Sequence, residues 1–233
     1  MSLAAADEGT ILDCDELSTR QINQALRALP PGSRARILNP RGRHNLAVGL
    51  VHHLDIRIEG DVGHYVGGLC DGLDIRVDGF AGWAAGENLM SGSVRITGNA
   101  SERVGASAHG GTIVVEGDAS TRAAISLKGG TVLVAGDVGN FSAFMAQAGV
   151  VLIGGDAGEA LGDSLYEAVL YVGGAIKSLG SDARVEELTA ADVARVRELV
   201  ELAGFDHISP EDVTRVASAR ELYNFDAVKA HHY

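Results

Sequence analysis

The middle of the sequence is a tandem repeat with a period of 19. The segments DIRIEG (55–60), DIRVDG (74–79), SVRITG (93–98) and TIVVEG (112–117) follow one another at that interval. The glycine that ends each segment returns seven times with no insertion or deletion between copies: Gly60, Gly79, Gly98, Gly117, Gly136, Gly155 and Gly174. A fixed short period is typical of stacked repeat proteins, because one unit buries its apolar side only against its neighbours.

Each repeat contains one short strand with a single buried face. The residues four and two places before each glycine, such as Ile56 and Ile58, are branched aliphatics in all seven copies. Their neighbours in the early repeats, such as Asp55 and Arg57, are polar. Alternation with period two and an excess of β-branched residues predict strands with one side in the core. A small apolar residue two places after each glycine, such as Val62, predicts a second short inward stretch.

Parallel stacking of these units predicts an all-β core, a single-stranded right-handed parallel β-helix with 19-residue coils. Like residues would then form columns, and the seven glycines would lie at corners where a Cβ would clash. The left-handed form is built from hexapeptides, which a period of 19 does not fit. A leucine-rich repeat is not indicated, because neither its L-x-x-L-x-L string nor an asparagine ladder is recognised in the sequence.

Acidic residues follow several of the corner glycines. Asp61, Asp118, Asp137 and Asp156 occupy this position, but Phe80 interrupts the series. We interpret these carboxylates as corner residues that hydrogen-bond their own turn, and not as calcium ligands.

Helices are predicted on both sides of the repeats. STRQINQALRALPPG begins with a capping-box pair, Ser18 and Gln21, and ends at two prolines. LTAADVARVRELVELAG has Thr189 as its N-cap and Gly204 as its stop, and SPEDVTRVASARELY predicts a further helix capped by Ser209. We expect these helices to cover an open end of the stack or to pack along one side.

Three regions follow from these patterns. Residues 1–36 are predicted to form an N-terminal tail and helix, residues 37–180 the parallel β-helix, and residues 181–233 a C-terminal helical extension.

Composition argues against several functions. The net charge is −12, whereas nucleic acids and anionic membranes require a basic footprint on the protein. Cys14 and Cys70 have no metal-binding spacing, and no histidine pair does either. The sequence contains no signal-peptide pattern, no apolar run of membrane length, no G-x-S-x-G and no G-x-x-x-x-G-K-[ST]. We therefore predict a cytoplasmic protein with no catalytic, cofactor-binding or metal-binding residue of its own.

Candidate interaction residues come from two observations. The corner segments carry polar groups at Glu87 and Asn88, which bond either the next coil or a partner protein. In the later repeats the outward positions turn apolar, as at Tyr171, and one corner carries Phe141, Phe144 and Met145. Such a surface is covered either by the chain's own C-terminal helices or by a partner. These six residues are the candidate partner interface.

The corners also show a resemblance to a known family. The G-x-x-G segments GDVG (60–63 and 136–139) and GDAG (155–158) on a period of 19 resemble the GXGXG domain. That domain closes the large chain of glutamate synthase and also forms one of the subunits of formylmethanofuran dehydrogenase. NLMSGSVRITGNAS, SAFMAQAG, GDAGEALGDSLYEA and SARELYNF are similar to the stand-alone glutamate synthase-like component of N-methylglutamate synthase, also called methylamine–glutamate N-methyltransferase. The likeness covers residues 18–226.

The resemblance implies a division of labour between subunits. An amidotransferase-like subunit and a synthase subunit containing FMN and an iron–sulfur cluster would carry the chemistry, and this chain would hold them together. The complex would convert methylamine and glutamate into N-methylglutamate and ammonia. The alternatives are a component of a formylmethanofuran dehydrogenase-type complex, an independent enzyme with a groove site, and a β-helix that assembles with itself.

Overall fold

A continuous ladder of parallel strands dominates the fold. The structure, a computed structural model, describes residues 9–220. Nine strands lie side by side in chain order: β1 (Thr10–Asp13), β2 (Ser33–Leu38), β3 (Leu54–Glu59), β4 (Leu73–Val77), β5 (Gly92–Ile96), β6 (Thr112–Val115), β7 (Thr131–Val134), β8 (Val150–Ile153) and β9 (Val169–Val172). This is the predicted parallel β-solenoid, with about seven turns at 19-residue spacing.

The register of the ladder follows the sequence period. Ile56 lies beside Ile75, which lies beside Val94, and the same pairing continues from coil to coil as far as β9. The aliphatic side chains at the two predicted inward positions are all buried. The residue two places after each glycine forms a second, one-residue-wide ladder from Val62 to Ile176. Like side chains therefore stack in columns, as the period predicts.

The corners are held by an Asp and Asn ladder that joins neighbouring coils. Each carboxylate or amide Oδ1 accepts a hydrogen bond from the backbone N–H one coil further on, as Asp61 does from Phe80 at 2.8 Å. The same bond links Asn99 to Asp118 and Asp118 to Asp137, both at 2.9 Å. The prediction that these side chains bond their own turn is therefore wrong, because their acceptor oxygens bond the next coil.

The ladder explains why glycine precedes these acids. A Cβ added to Gly79 would lie 2.6 Å from Oδ1 of Asp61 and 2.8 Å from the backbone of the previous coil. The φ of Gly79 lies outside the left-handed region, so space and not backbone conformation requires glycine there. At Gly60 the backbone itself requires glycine, since its φ is 126°, a value that L side chains rarely adopt.

Helix α1 (Thr19–Ala28) closes the first end of the core. Its predicted capping box is present, with the backbone N–H of Ser18 donating to Gln21 at 2.9 Å. Ile22 and Leu26 are fully buried in the same apolar cluster as the inward strand residues. Because the coils enclose that interior, a helix reaches it only at an end. The amide of Asn23 fixes the helix by bonding backbone atoms of the first loop.

The other end is closed by antiparallel strands. β11 (Thr214–Ser218) pairs antiparallel with β9 and with β10 (Ala183–Glu186). The helix predicted from Ser209 onward is therefore wrong in the described part of its range, because β11 completes the hydrogen bonds along the free edge of β9. The sheet also extends beyond the range 37–180, since β1, β10 and β11 lie outside it.

Helix α2 (Ala190–Ala203) packs along one side of the stack. Thr189 is its N-cap and Gly204 ends it with a φ of 74°, both as predicted. Val196, Leu199, Val200 and Ala203 face a column of outward strand residues, and together they form a second apolar cluster. In the later coils the outer strand face is therefore covered by the chain itself.

Candidate functional site

The turn segments on one side of the solenoid form an exposed face, which we call the corner face. It consists of five stacked segments, four to nine residues after the corner glycines: 64–69, 83–88, 102–107, 121–126 and 140–145. Non-glycine residues with positive φ recur in every one of them, for example Tyr65 at 65° and Leu69 at 58°. Bulky residues rarely adopt this conformation. Hydrogen bonds between neighbouring coils hold it, such as that from the N–H of Tyr65 to the carbonyl of Trp83 at 2.8 Å.

Five of the six predicted interface residues lie on the corner face, in two groups three coils apart. Glu87 and Asn88 lie in its second segment, and Phe141, Phe144 and Met145 lie in its fifth. The φ of 53° at Asn88 supplies a local reason for that residue, since asparagine tolerates the left-handed region well.

Tyr171 does not belong to this face. Its side chain is only 3% exposed and lies beneath α2. The prediction that Tyr171 contributes to an exposed interface is therefore not supported, and the covering of this surface by the chain's own helix is the physical reason.

Tyr171 instead belongs to a charged network that fastens α2. Its hydroxyl donates to Asp192 at 2.6 Å, and Arg215 on β11 donates to the same carboxylate at 3.0 Å. Burial, together with the neighbouring Asp192, raises the pKa of Tyr171 to about 12. Burial alone would raise the pKa of Asp192, but hydrogen bonds from Thr189 and Tyr171 and the charge of Arg215 lower it to about 2.

Aromatic and cationic side chains stack along the corner face, and the stack begins at His44 in the loop before its first segment. The imidazoles of His44 and His64 are nearly parallel with centroids 4.2 Å apart, and Trp83 follows at 5.1 Å. The guanidinium carbon of Arg103 lies 5.2 Å from the Trp83 centroid, and that of Arg122 lies 5.7 Å from the ring of Phe141. These distances are typical of cation–π contacts.

Sequence reasoning missed the first part of this stack. His64 and Trp83 share the fourth position after their corner glycines, and each ring nitrogen Nδ1 of His44 and His64 accepts a backbone N–H from the next coil. The available signal was limited to His64 and Trp83, two planar side chains at the same position of consecutive repeats. A shallow pocket of about 250 Å³ lies beside the stack and is lined by Asn45, Tyr65, Leu69, Glu87 and Asn88, among others.

Other candidate chemistry is sparse in the part of the chain that the structure describes. Cys14 and Cys70 are buried free thiols, and burial raises the pKa of each. Within residues 9–220 no group of three or more His, Cys, Asp or Glu side chains is arranged to hold a metal ion. No helix in that range is long and apolar enough to cross a membrane. His231, His232 and the end of the SARELYNF segment lie outside the described residues.

Together, the 19-residue coils, the G-x-x-G corners and the two helices define a parallel β-solenoid. Protein GlxC of Rhizobium meliloti (strain 1021) is 47% identical to the chain over 204 residues, which cover 86% of this chain and 90% of the relative. The chain therefore belongs to the same family as Protein GlxC, a glutamate synthase-like family. No protein-family model matches the chain.

Proposed function

We propose that this chain is the non-catalytic scaffold subunit of a glutamate synthase-like complex, and specifically of an N-methylglutamate synthase. It holds an amidotransferase-like subunit against a synthase subunit that contains FMN and an iron–sulfur cluster. The complex joins methylamine to glutamate and releases ammonia, in the cytoplasm. The chain itself binds none of these cofactors.

The observation that carries this proposal is the contrast between two sides of one stiff solenoid. Consecutive coils are hydrogen-bonded through the strand ladder, the single-residue ladder and the Asp and Asn ladder. The strand face of the later coils is covered by α2, while the corner face stays open with Trp83 43% and Phe141 40% exposed. Active sites in different subunits act in sequence only when they are held at a fixed separation, which a stiff body with an open side provides.

The structure of the two ends of the solenoid favours the scaffold function over the alternative of a β-helix that assembles with itself into a rod. Helix α1 covers one end of the core, and β11 and β10 turn the other end into an antiparallel edge. A further parallel coil from a second copy finds no matching edge at that end. Electron microscopy of the pure protein tests this alternative, which requires filaments.

The proposal is tested by isolating the tagged chain gently from its native host grown on methylamine. We expect co-purifying amidotransferase-like and synthase-like subunits in the mass spectrum, a flavin and iron–sulfur absorption spectrum, and N-methylglutamate formation from methylamine and glutamate. A colourless chain without these subunits contradicts the proposal. Co-purification of a molybdenum or tungsten subunit instead supports the formylmethanofuran dehydrogenase-type alternative.

A further inference from the structure

We propose that the corner face docks an acidic segment of a partner polypeptide, with Arg103 and Arg122 as the groups that bind its carboxylates. This inference rests on the proposed scaffold function, because it names the chemistry of the partner at the open side of the solenoid.

The docking groups lie in a continuous row. Six neighbouring coils each contribute one planar side chain to this row, which we call the planar stripe: His44, His64, Trp83, Arg103, Arg122 and Phe141. Adjacent strands lie about 4.8 Å apart, so the stripe is about 24 Å long, the span of a short extended peptide. The two arginines are its fourth and fifth members, and Trp83 and Phe141 flank them.

Arg103 and Arg122 lack an anionic partner in the part of the chain that the structure describes. Within the described residues neither guanidinium forms an ion pair or a side-chain hydrogen bond, and the Nε of Arg103 is buried without an acceptor. Arginines on the strand face behave differently, since Arg57 and Arg76 bond Asp78, and Arg95 bonds Glu116 at 2.8 Å. The buried Nε of Arg103 lies out of a partner's reach, but the absence of an anion beside either guanidinium leaves both charges to pair with a carboxylate from another polypeptide.

The charge of the corner face points to the same partner. The chain as a whole carries −12, with 31 acidic and 19 basic residues. The corner face carries two acidic residues, Glu87 and Glu102, and two arginines, so its formal charge is zero with neutral histidine. The corner face is therefore less acidic than the chain as a whole, and two of its charges are arginines without an ion pair among the described residues.

The geometry of the arginines suits carboxylates. Each guanidinium carbon lies over an aromatic ring, which restricts its orientation; since the Nε of Arg103 is buried, the two Nη groups are the donors that bind a carboxylate. Arginine presents donors in a fork that matches a carboxylate, and a held fork loses little entropy on binding. The exposed rings of Trp83 and Phe141 then contact apolar groups beside the acids.

Trp83 is the only tryptophan of the chain, so its fluorescence reports directly on the stripe. The probe is a ten-residue peptide of glutamate and glycine, and the control probe has lysine in place of glutamate. We expect saturable binding of the acidic peptide that changes Trp83 emission, and at least tenfold weaker binding to a double variant, Arg103→Gln with Arg122→Gln. The matched control is Arg34→Gln with Arg57→Gln on the strand face, which should bind as the wild type does.

Equal binding of the lysine peptide, equal binding by the Arg103 and Arg122 variant, or no binding at all overturns the proposal. Circular dichroism confirms that each variant is folded. Self-association of the wild type that the same substitutions abolish identifies a second copy as the occupant and overturns an acidic partner.

The same variants, introduced into the native host, separate this inference from the proposed function. If every variant recovers the partner subunits as well as the wild type does, the docking proposal is wrong and the proposed scaffold function still stands. Arginine-dependent peptide binding without any recovered subunit supports the docking chemistry and contradicts the scaffold function.

Discussion

Single residues decide whether two neighbouring coils fit together. The acid after a corner glycine reaches the next coil, where its Oδ1 accepts a backbone N–H and lies above the next glycine. That acid and the glycine one coil later are therefore coupled, although each looks like an ordinary turn residue in the sequence. Substitutions at such a pair should not have additive effects.

Asp118 and Gly136 allow this coupling to be measured. We expect Asp118→Ala to cost about 1 kcal/mol, because the N–H of Asp137 loses its acceptor. Gly136→Ala should cost about 2 kcal/mol or more, because its Cβ collides with Oδ1 of Asp118. Once the carboxylate is removed, the nearest remaining atom is the carbonyl oxygen of Gly117 at 3.2 Å.

The double variant should therefore be more stable than the sum of the two single effects predicts, by about 0.5 kcal/mol or more. Urea unfolding of the four proteins completes the cycle. Strict additivity would show that the acid and the glycine act independently.

The inward and outward positions of a strand also differ at the level of one residue. Val115 is fully buried in the column of inward side chains. Val115→Asp should destabilise the protein by several kcal/mol, about 3 or more, because a carboxylate without a partner enters the core. Arg57→Ala, on an exposed strand position with an ion pair to Asp78, should change the stability little, because an exposed ion pair is screened by solvent. Similar thermal unfolding of the two variants would refute the assignment of the two faces.

At the scale of elements, α2 is fixed to the solenoid by both apolar and polar contacts. Its apolar side chains cover Val114, Leu133 and Leu152, and the Tyr171–Asp192–Arg215 network lies beside them. Tyr171 and Asp192 of this network have pKa values shifted in opposite directions, so the attachment of α2 depends on pH in a defined sense.

Tyr171→Phe should flatten that dependence. The pKa of Tyr171 rises from 10.0 to about 12 on folding, so its stabilising contribution is present below pH 10 and is lost as pH rises towards 12. The pKa of Asp192 falls from 3.8 to about 2, so its contribution is present above pH 3.8 and is lost as pH falls towards 2. Without the hydroxyl, both losses should become smaller.

The measurement is the free energy of urea unfolding across pH, with Tyr65→Phe as the control on the exposed corner face. An unchanged pH profile for the Tyr171 variant would contradict the network.

The elements differ in how well the sequence predicts them. Helices α1 and α2 carry their own signals, since the capping residues Ser18 and Thr189 and the stop at Gly204 act locally. The strand β11 carries none, because its conformation comes from pairing with the distant strand β9, where Thr214 lies beside Val172. The segment after Ser209 resembles a helix start, and the unpaired edge of β9 overrides that preference.

The candidate site was predictable only in part. Phe141, Phe144 and Met145 are large apolar residues in a corner, and that alone marks them. The planar stripe shifts by one position between Trp83 and Arg103, so a column search at fixed spacing does not find it. Contacts between such positions depend on the three-dimensional path of the corner and are not set by the period.

At the scale of the molecule, the period makes the length of the solenoid adjustable in whole coils. Deletion of residues 60–78, which form one complete coil, should join Glu59 to Gly79 and place Ile56 beside Val94. We expect this variant to unfold cooperatively with a β-type circular dichroism spectrum.

The control is deletion of residues 61–78, which retains Gly60 and moves the corner by one position. This variant should be markedly less stable, because a slip of one residue exchanges the two faces of a strand. Equal stability of the two deletions would refute the coil register.

The position of α2 also bears on the order in which the chain acquires its structure during synthesis. Each coil contacts the coil that precedes it in the sequence, so the stack can grow as the polypeptide leaves the ribosome. Arg95, in contrast, donates to the backbone of Ala203, 108 residues later. Until that late segment emerges, Leu133, Leu152 and Tyr171 lack their cover. Nascent chains stalled before residue 190 should therefore expose a bare apolar strip and depend on chaperones.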